Sequence, residues 1–343
     1  MNIRLIHLGR VSPIRSQAIY HGLAQEISDN DDPILVVVRP DSPYICVGMH
    51  QNIEKEINES WCCENSIPII RRSVGGGTVL LDQNQLFFQY IFPKNKITKR
   101  PSDLYKALLP PIIDCYQELG CSTACAVDND IHINHKKICG TGAASIEDAT
   151  VFVGSFLFDF DHDMMANAIT TPSNEFKTTF SQLMAKRMTT IAKELEKFPT
   201  EEMLIKLLSQ HTEKRLGLKS IDSALTEKEC QSIVLAEQEI NENDWINQGG
   251  KRLIQQGIKV AAHTYLVEGK YTIQKHNLSI RILLCDNHIE TIWFSGNKVS
   301  KQLKEIQLLI YRNKPSQHNL NDILKDTPEL LEAINSLLGF QPY

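Results

Sequence analysis

Three consecutive glycines, Gly75-Gly76-Gly77, preceded by Arg71-Arg72-Ser73-Val74 and followed by Thr78-Val79, constrain this chain more than any other segment. Glycine lacks Cβ, so its backbone takes conformations and close approaches closed to other residues. The flanks, Ile67-Pro68-Ile69-Ile70 and Val79-Leu80-Leu81, are apolar and rich in β-branched residues. The segment therefore reads as strand, glycine loop, strand. It is not the strand–loop–helix of a P-loop, whose Gly-Lys-Ser/Thr is missing. Guanidinium groups beside such a loop offer planar forks to carboxylate or phosphate oxygens. A plain glycine-rich hairpin is the competing reading, and the paired arginines shift the balance toward an anionic ligand.

The segment Asn129-Asp130-Ile131-His132-Ile133-Asn134-His135-Lys136-Lys137-Ile138-Cys139-Gly140-Thr141-Gly142-Ala143 carries the second signal. Ile131 and Ile133 alternate with polar residues, the pattern of a half-buried strand. Asn134-His135-Lys136 reads as a tight turn, and Ile138 starts the return strand with Lys137 at its entry. A lysine at a turn is ordinarily solvated. Here small residues come after it and leave room for a bound group, which makes Lys137 a candidate ammonium aimed at a ligand.

Together the two segments resemble the lipoate–protein ligase A family, part of the biotin/lipoate ligase and octanoyltransferase superfamily. The family's Arg-Arg-x-Ser/Thr-Gly-Gly-Gly-x-Val, Asn-Asp and Lys-Ile/Val-x-Gly-x-Ala motifs stand here as Arg71 to Val79, Asn129-Asp130 and Lys137 to Ala143, in the same order. Ser42 to Gly48 and Gly154 to Asp159 look like its flanking strands. The resemblance implies an α+β fold: a large biotin/lipoate-ligase-like domain of mixed β-sheets and flanking helices over 1–248, and a small C-terminal α+β accessory domain over 249–343. It also implies ATP-dependent ligation of lipoate, or a similar medium-chain acid, to a lysine of a carrier domain through an acyl-adenylate, with ATP and Mg²⁺. Implied partners are lipoyl-carrier domains of 2-oxoacid dehydrogenase complexes or a glycine cleavage H-like protein.

The same resemblance implies the site residues. Lys137 would contact acyl and phosphate oxygens, with Arg71 and Arg72 steadying the anionic end. Gly75, Gly76, Gly77, Thr78 and Gly140 would let backbone lie against the ligand. Asn129 and Asp130 would meet the nucleotide, and Asp130 is the candidate Mg²⁺ ligand. Relatives that move octanoyl or lipoyl groups through a cysteine thioester make Cys139 the alternative nucleophile, since it lies two residues from Lys137. A catalytically silent lipoyl binder is the third class. Three positions depart from the family pattern: Val74 replaces the hydroxyl residue before the first glycine, and Leu81 and Val153 each replace a histidine.

Composition agrees with a globular protein: 343 residues, 42% apolar and 22% charged. A net charge of −5 argues against nucleic acid as the main partner. The N-terminal apolar stretch is too short for a signal peptide, and no apolar run reaches membrane-spanning length. The cytoplasm is the expected compartment. Nine cysteines, an odd number, suit free thiols in a reducing environment. Cys121, Cys125, His132 and His135 form a weak zinc candidate, spaced too closely for a zinc finger.

Helices are expected over Ser16 to Ile27, Asn52 to Glu64, Leu104 to Leu119 with a kink or restart at Pro110-Pro111, and Thr200 to Leu216. Thr226-Glu227-Lys228-Glu229 has a capping-box pattern. Leu86 to Phe92 is near-continuously apolar and should be central in a sheet. Gly249-Gly250 reads as a hinge. Beyond it strands are expected over Ile258 to Val267, Tyr271 to Gln274, Leu278 to Cys285 and His288 to Phe294, then helices from Lys301 and Thr327-Pro328.

Overall fold

In chain order the first strands are β1 (Asn2–Val11), β2 (Ile34–Pro40), β3 (Tyr44–Val47), β4 (Ile69–Arg71), β5 (Val79–Leu81) and β6 (Gln85–Pro93). After them come β7 (Cys125–Val127), β8 (Asp130–Ile133), β9 (Lys136–Ile146), β10 (Ala149–Leu157) and β11 (Lys219–Asp222). The computed structural model describes all residues except 98–99, 251–256, 262, 274, 298, 317–318 and 340–343. Contacts divide the chain into two units, Met1–Ala168 with Ala185–Lys251, and Ile169–Met184 with Arg252–Tyr343. The mixed α+β architecture is the one expected.

The first unit holds an eight-stranded sheet in the order β11-β1-β2-β6-β10-β9-β8-β7 and a small sheet in the order β4-β3-β5. Every residue of β6 is buried, which explains why its sequence is nearly all apolar. Alternation along β6 feeds two cores. Leu86, Phe88, Tyr90 and Phe92 join Phe152 and Phe156 beneath the helices Pro101–Glu118 and Glu201–Leu216. Phe87 and Ile91 join Val151 beneath the helices Pro13–Glu26 and Glu227–Ile240.

Local signals set the helix ends. The Thr226 side chain accepts from the Glu229 backbone N–H and the Glu229 carboxylate reaches back, the reciprocal box that the sequence pattern implies. Pro110 and Pro111 sit inside a single helix without a restart. Burial of Leu104, Leu108, Ile112 and Tyr116 on one face outweighs the missing N–H donors. In place of the one helix expected from Asn52 there are two short ones, Ile53–Glu56 and Glu59–Glu64, because Asn58 caps a second start. The helices His162–Ala168 and Asn174–Arg187 have no counterpart in the sequence reading.

In the second unit β12 (Gly257–Ala261), β13 (Thr264–Ile273), β14 (His276–Cys285) and β15 (His288–Gly296) form an antiparallel meander. The stretch read as one strand from Ile258 to Val267 is two, divided between β12 and β13; Gln274 lies outside the described residues. The helices Lys301–Asn313 and Pro328–Leu338 share its core. Glu268 and Arg281 face each other across β13 and β14, with Arg281 Nε 2.6 Å from Glu268 Oε2. Arg281 Nη1 also donates to Thr179 Oγ1 at 2.7 Å, which ties the segment Ile169–Met184 into this unit. No periodicity in the sequence announces that grouping.

Gly22 marks a close helix pairing in the first unit. A Cβ there would lie 2.7 Å from Ser232 O and 2.8 Å from Ile233 Cα on the facing helix. Gly22→Ala should therefore cost about 1–3 kcal/mol, the usual penalty for overpacking. Urea unfolding checks it, with the midpoint expected to fall at unchanged m-value.

Candidate functional site

Arg71 ends β4 with its side chain fully buried at 0% exposure. Its Nη1 donates to the carbonyl oxygens of Gly48 at 3.1 Å, Met49 at 3.0 Å and Gln51 at 2.8 Å. Nε donates to Ile246 O at 2.9 Å and Nη2 to Gln248 O at 3.4 Å. Trp245 Nε1 returns a bond to Arg71 O at 2.9 Å. The sequence alone offers Arg71 as a cation for a ligand; in the fold it faces the protein's own backbone. Its N–H groups are spent on backbone carbonyls, and it works as an internal staple.

Arg72 holds the glycine loop itself. Nη2 donates to Gly75 O at 2.9 Å and Gly77 O at 2.7 Å, while Nη1 reaches Cys46 O at 3.1 Å. Of the three glycines only Gly76 needs its freedom, with φ +100°. A Cβ on Gly75 or Gly77 would meet nothing within 4 Å, so open space borders both. The loop lies against residues 48–51: a Cβ on Gly48 would overlap Gly76 O at 2.0 Å, and Met49 N–H donates to Val74 O at 3.1 Å. Gly250, read with Gly249 as a hinge, also packs closely, since a Cβ there would overlap Gln51 O.

The lysine strand meets this loop through Val74. A Cβ on Gly142 would fall 2.7 Å from Val74 Cγ1 and 3.9 Å from Val153 Cγ2. Val74 and Val153, two of the family departures, thus pack together over Gly142, and Leu81 lines the same core. The displaced hydroxyl of Ser73 is hydrogen-bonded to His21 Nδ1 at 2.6 Å.

Lys137 Nζ lies 2.8 Å from Asp130 Oδ2 across the β8–β9 hairpin. It folds over Gly140, where a Cβ would be 3.1 Å from Nζ. Asn134 and His135, with φ of 49° and 64°, make the two-residue turn that sets this hairpin. Asn129 is exposed, and its carbonyl accepts the Thr141 hydroxyl. Lys136 is exposed and Lys137 is half-buried, so the two lysines sit in different surroundings.

A register shift between Ile131 and His132 leaves His132 opposite Lys137 and Ile131 opposite Cys139. Ile138 is the extra residue, and it changes which face each neighbour takes. Lys137 and Gly140, three apart, come together. Ile138 and Cys139, adjacent, both enter the apolar core. Cys139, the alternative nucleophile, is 2% exposed, and burial pushes its thiol up to about 12.

Among the described residues no three His, Cys, Asp or Glu gather closely enough to hold a metal ion. The zinc candidate finds no support there. The carboxylate of Asp130, the candidate Mg²⁺ ligand, is engaged by Lys137. No helix among the described residues is long and apolar enough to cross a membrane.

Comparison with known proteins gives a consistent picture. Residues 12–213 match the family model described as the lipoyl protein ligase A/B catalytic domain. Lipoate-protein ligase LplJ of Bacillus subtilis is 28% identical over 209 residues, 59% of this chain and 61% of that protein. The chain thus spans about three-fifths of the length of that curated relative. Octanoyltransferase LipM of Bacillus cereus is 22% identical over 70% of this chain and 96% of its own. Among solved structures, a bipartite lipoate protein ligase from Thermoplasma acidophilum superposes with TM-score 0.66 at 22% identity, covering 74% of this chain and 98% of that one. A lipoate-protein ligase A bound with ATP gives 0.61 at 20% identity, covering 72% and 98%. At these identities the two structures establish the fold.

Two outcomes test the site as described. Arg71→Met should destabilise the first unit by about 3 kcal/mol or more, because buried carbonyls lose their donors together. A melting curve without ligand reads this, and an unshifted midpoint would return Arg71 to the ligand-binding set. Cys139 should stay unmodified by iodoacetamide in folded protein at pH 8, because a raised pKa keeps it a neutral thiol. Exposed Cys63 and Cys125 should react, and peptide mass spectrometry separates the three.

Proposed function

The chain belongs to the lipoyl protein ligase A/B catalytic-domain family, and from that premise we propose that it is an ATP-dependent ligase. It activates lipoate, or a similar medium-chain acid, as an acyl-adenylate and transfers the acyl group to a protein lysine. The observation that carries this reading is the Lys137 ammonium, held by Asp130 over Gly140 on the strand that Val74 joins to the glycine loop. Similarity to a ligase from Bacillus subtilis and to one with ATP bound supports it.

A carboxylate is a poor electrophile, and bringing it against the α-phosphate of ATP sets like charges together. The transition state adds negative charge to the phosphate oxygens, so a preorganised cation lowers the barrier. Lys137 has the placement for that work. In the ligand-free chain Asp130 balances its charge; an arriving anion competes for the same ammonium. Arg72 fixes the loop carbonyls, which leaves open space beside Gly75 and Gly77 for acyl chain and adenylate. The carboxylate displaces pyrophosphate from the α-phosphate to form the mixed anhydride, and attack by the carrier lysine then forms the amide and releases AMP.

In this reading the catalytic domain is 1–248 and the accessory domain 249–343. The acceptors are lipoyl-carrier domains of 2-oxoacid dehydrogenase complexes or a glycine cleavage H-like protein. A bipartite ligase whose structure was described with its E2 lipoyl domain offers a parallel for such a partner. The transferase alternative has one specific argument, the similarity to an octanoyltransferase over 96% of that protein's length. Burial of Cys139 weighs against its use as the thioester residue.

ATP–pyrophosphate exchange with lipoate or octanoate tests the proposal directly. Wild type should exchange, and Lys137→Ala should lower the rate by about 100- to 1000-fold with its melting midpoint preserved. Lys136→Ala should lie within about threefold of wild type, because its exposed side chain is solvated. Exchange absent from wild type with either acid would sink the ligase reading in favour of transfer or silent binding.

A further inference from the structure

Gln51 belongs to none of the motifs above, yet it joins both sides of the glycine loop. It is 4% exposed. Its Oε1 accepts from Gly48 N–H at 3.0 Å and from Thr78 Oγ1 at 3.1 Å. A backbone N–H can only donate, so the atom facing Gly48 must be the carboxamide oxygen. That fixes the amide orientation from chemistry alone. The main chain of Gln51 is tied as well: its N–H donates to Gly48 O at 3.1 Å, and its carbonyl accepts Arg71 Nη1 at 2.8 Å.

The Nε2 group has no protein acceptor among the described residues. Nε2 is not one of the buried unpaired atoms of the structure, so solvent reaches this donor although the residue is 4% exposed. Thr78 places this amide at the end of the glycine loop, where Gly75 and Gly77 border open space. The Gly48 N–H and the Thr78 hydroxyl, both on Oε1, keep the amide from turning over.

We infer that Gln51 is a ligand-binding residue whose Nε2 donates to an anionic oxygen lying on the glycine loop. The oxygen is a carboxylate of the acid or a phosphate of the nucleotide, two sources with one chemistry. The inference rests on the ligase reading for the identity of those anions. It makes Thr78 and Gly48 the elements that aim the amide. The glycine loop then presents a neutral donor to the ligand from one side, while Lys137 supplies charge on the neighbouring strand.

Gln51→Glu separates binding from a purely structural role. It keeps an acceptor for Gly48 and Thr78 but replaces the donor with a negative oxygen. Calorimetry with octanoate, lipoate and ATP, each alone, should show affinity reduced by about tenfold or more for one of them. Loss for the acids assigns the carboxylate, and loss for ATP assigns the phosphate. Unchanged affinity for all three in a folded Gln51→Glu protein overturns the inference. If that variant does not fold, Gln51→Met removes the donor without burying a charge and is read by the same criterion. If neither folds, a crystal of wild type with lipoate and ATP decides, and Nε2 beyond about 3.5 Å from every ligand oxygen sinks the assignment. Wild type that binds acid but shows no exchange would remove the ligase reading while leaving Gln51 to be judged by the variants.

Discussion

The buried guanidinium of Arg71 is the interaction on which the rest of the site depends. Loop 48–51 has no regular secondary structure to satisfy its carbonyls, and a loop with unpaired buried carbonyls is unstable. One planar cation gathers three of those oxygens, then reaches Ile246 and Gln248 from a segment far along the chain. Only with that loop fixed can Gly48 lie under Gly76 and Gln51 meet Thr78. The glycine loop is therefore positioned from below before any ligand arrives.

The second organising feature is electrostatic. Lys137 and Asp130 are 27% and 15% exposed in their side chains, neither fully buried nor freely solvated. A pair in such a setting adds little to stability, because solvent screens part of its attraction. Its value lies in geometry. Two strands joined by a two-residue turn hold the ammonium at a fixed height over Gly140, and glycine at that position removes the side chain that would push it away.

Much of this is legible in the sequence. Apolar strands on either side of Gly75 to Gly77, the Asn134-His135 turn, the all-apolar β6 and the Thr226 capping box all rest on local chemistry, which a sequence displays directly. The burial of Arg71 is not legible, because two of the carbonyls it meets belong to residues 246 and 248, more than 170 positions away. Gln51 escapes notice for a similar reason: its partners, Gly48 and Thr78, become neighbours only after β3 and β5 pair. The grouping of Ile169–Met184 with the second unit leaves no local trace either; one of its ties is the bond from Arg281 to Thr179. The burial of Cys139 is hidden for another reason. Counting by twos from Lys137 is sound on a regular strand, and a register shift breaks the count.

That shift bears on how such chains can be compared with one another. Ile138 acts as punctuation more than as content: its side chain could be any apolar residue that fits the core, but its presence sets the parity of the strand beyond it. Remove it, and every residue from Cys139 onward exchanges inside for outside relative to Lys137. Two sequences that spell the same motif, one with and one without that residue, would present different surfaces to the same ligand. For this hairpin, length carries information that residue identity does not.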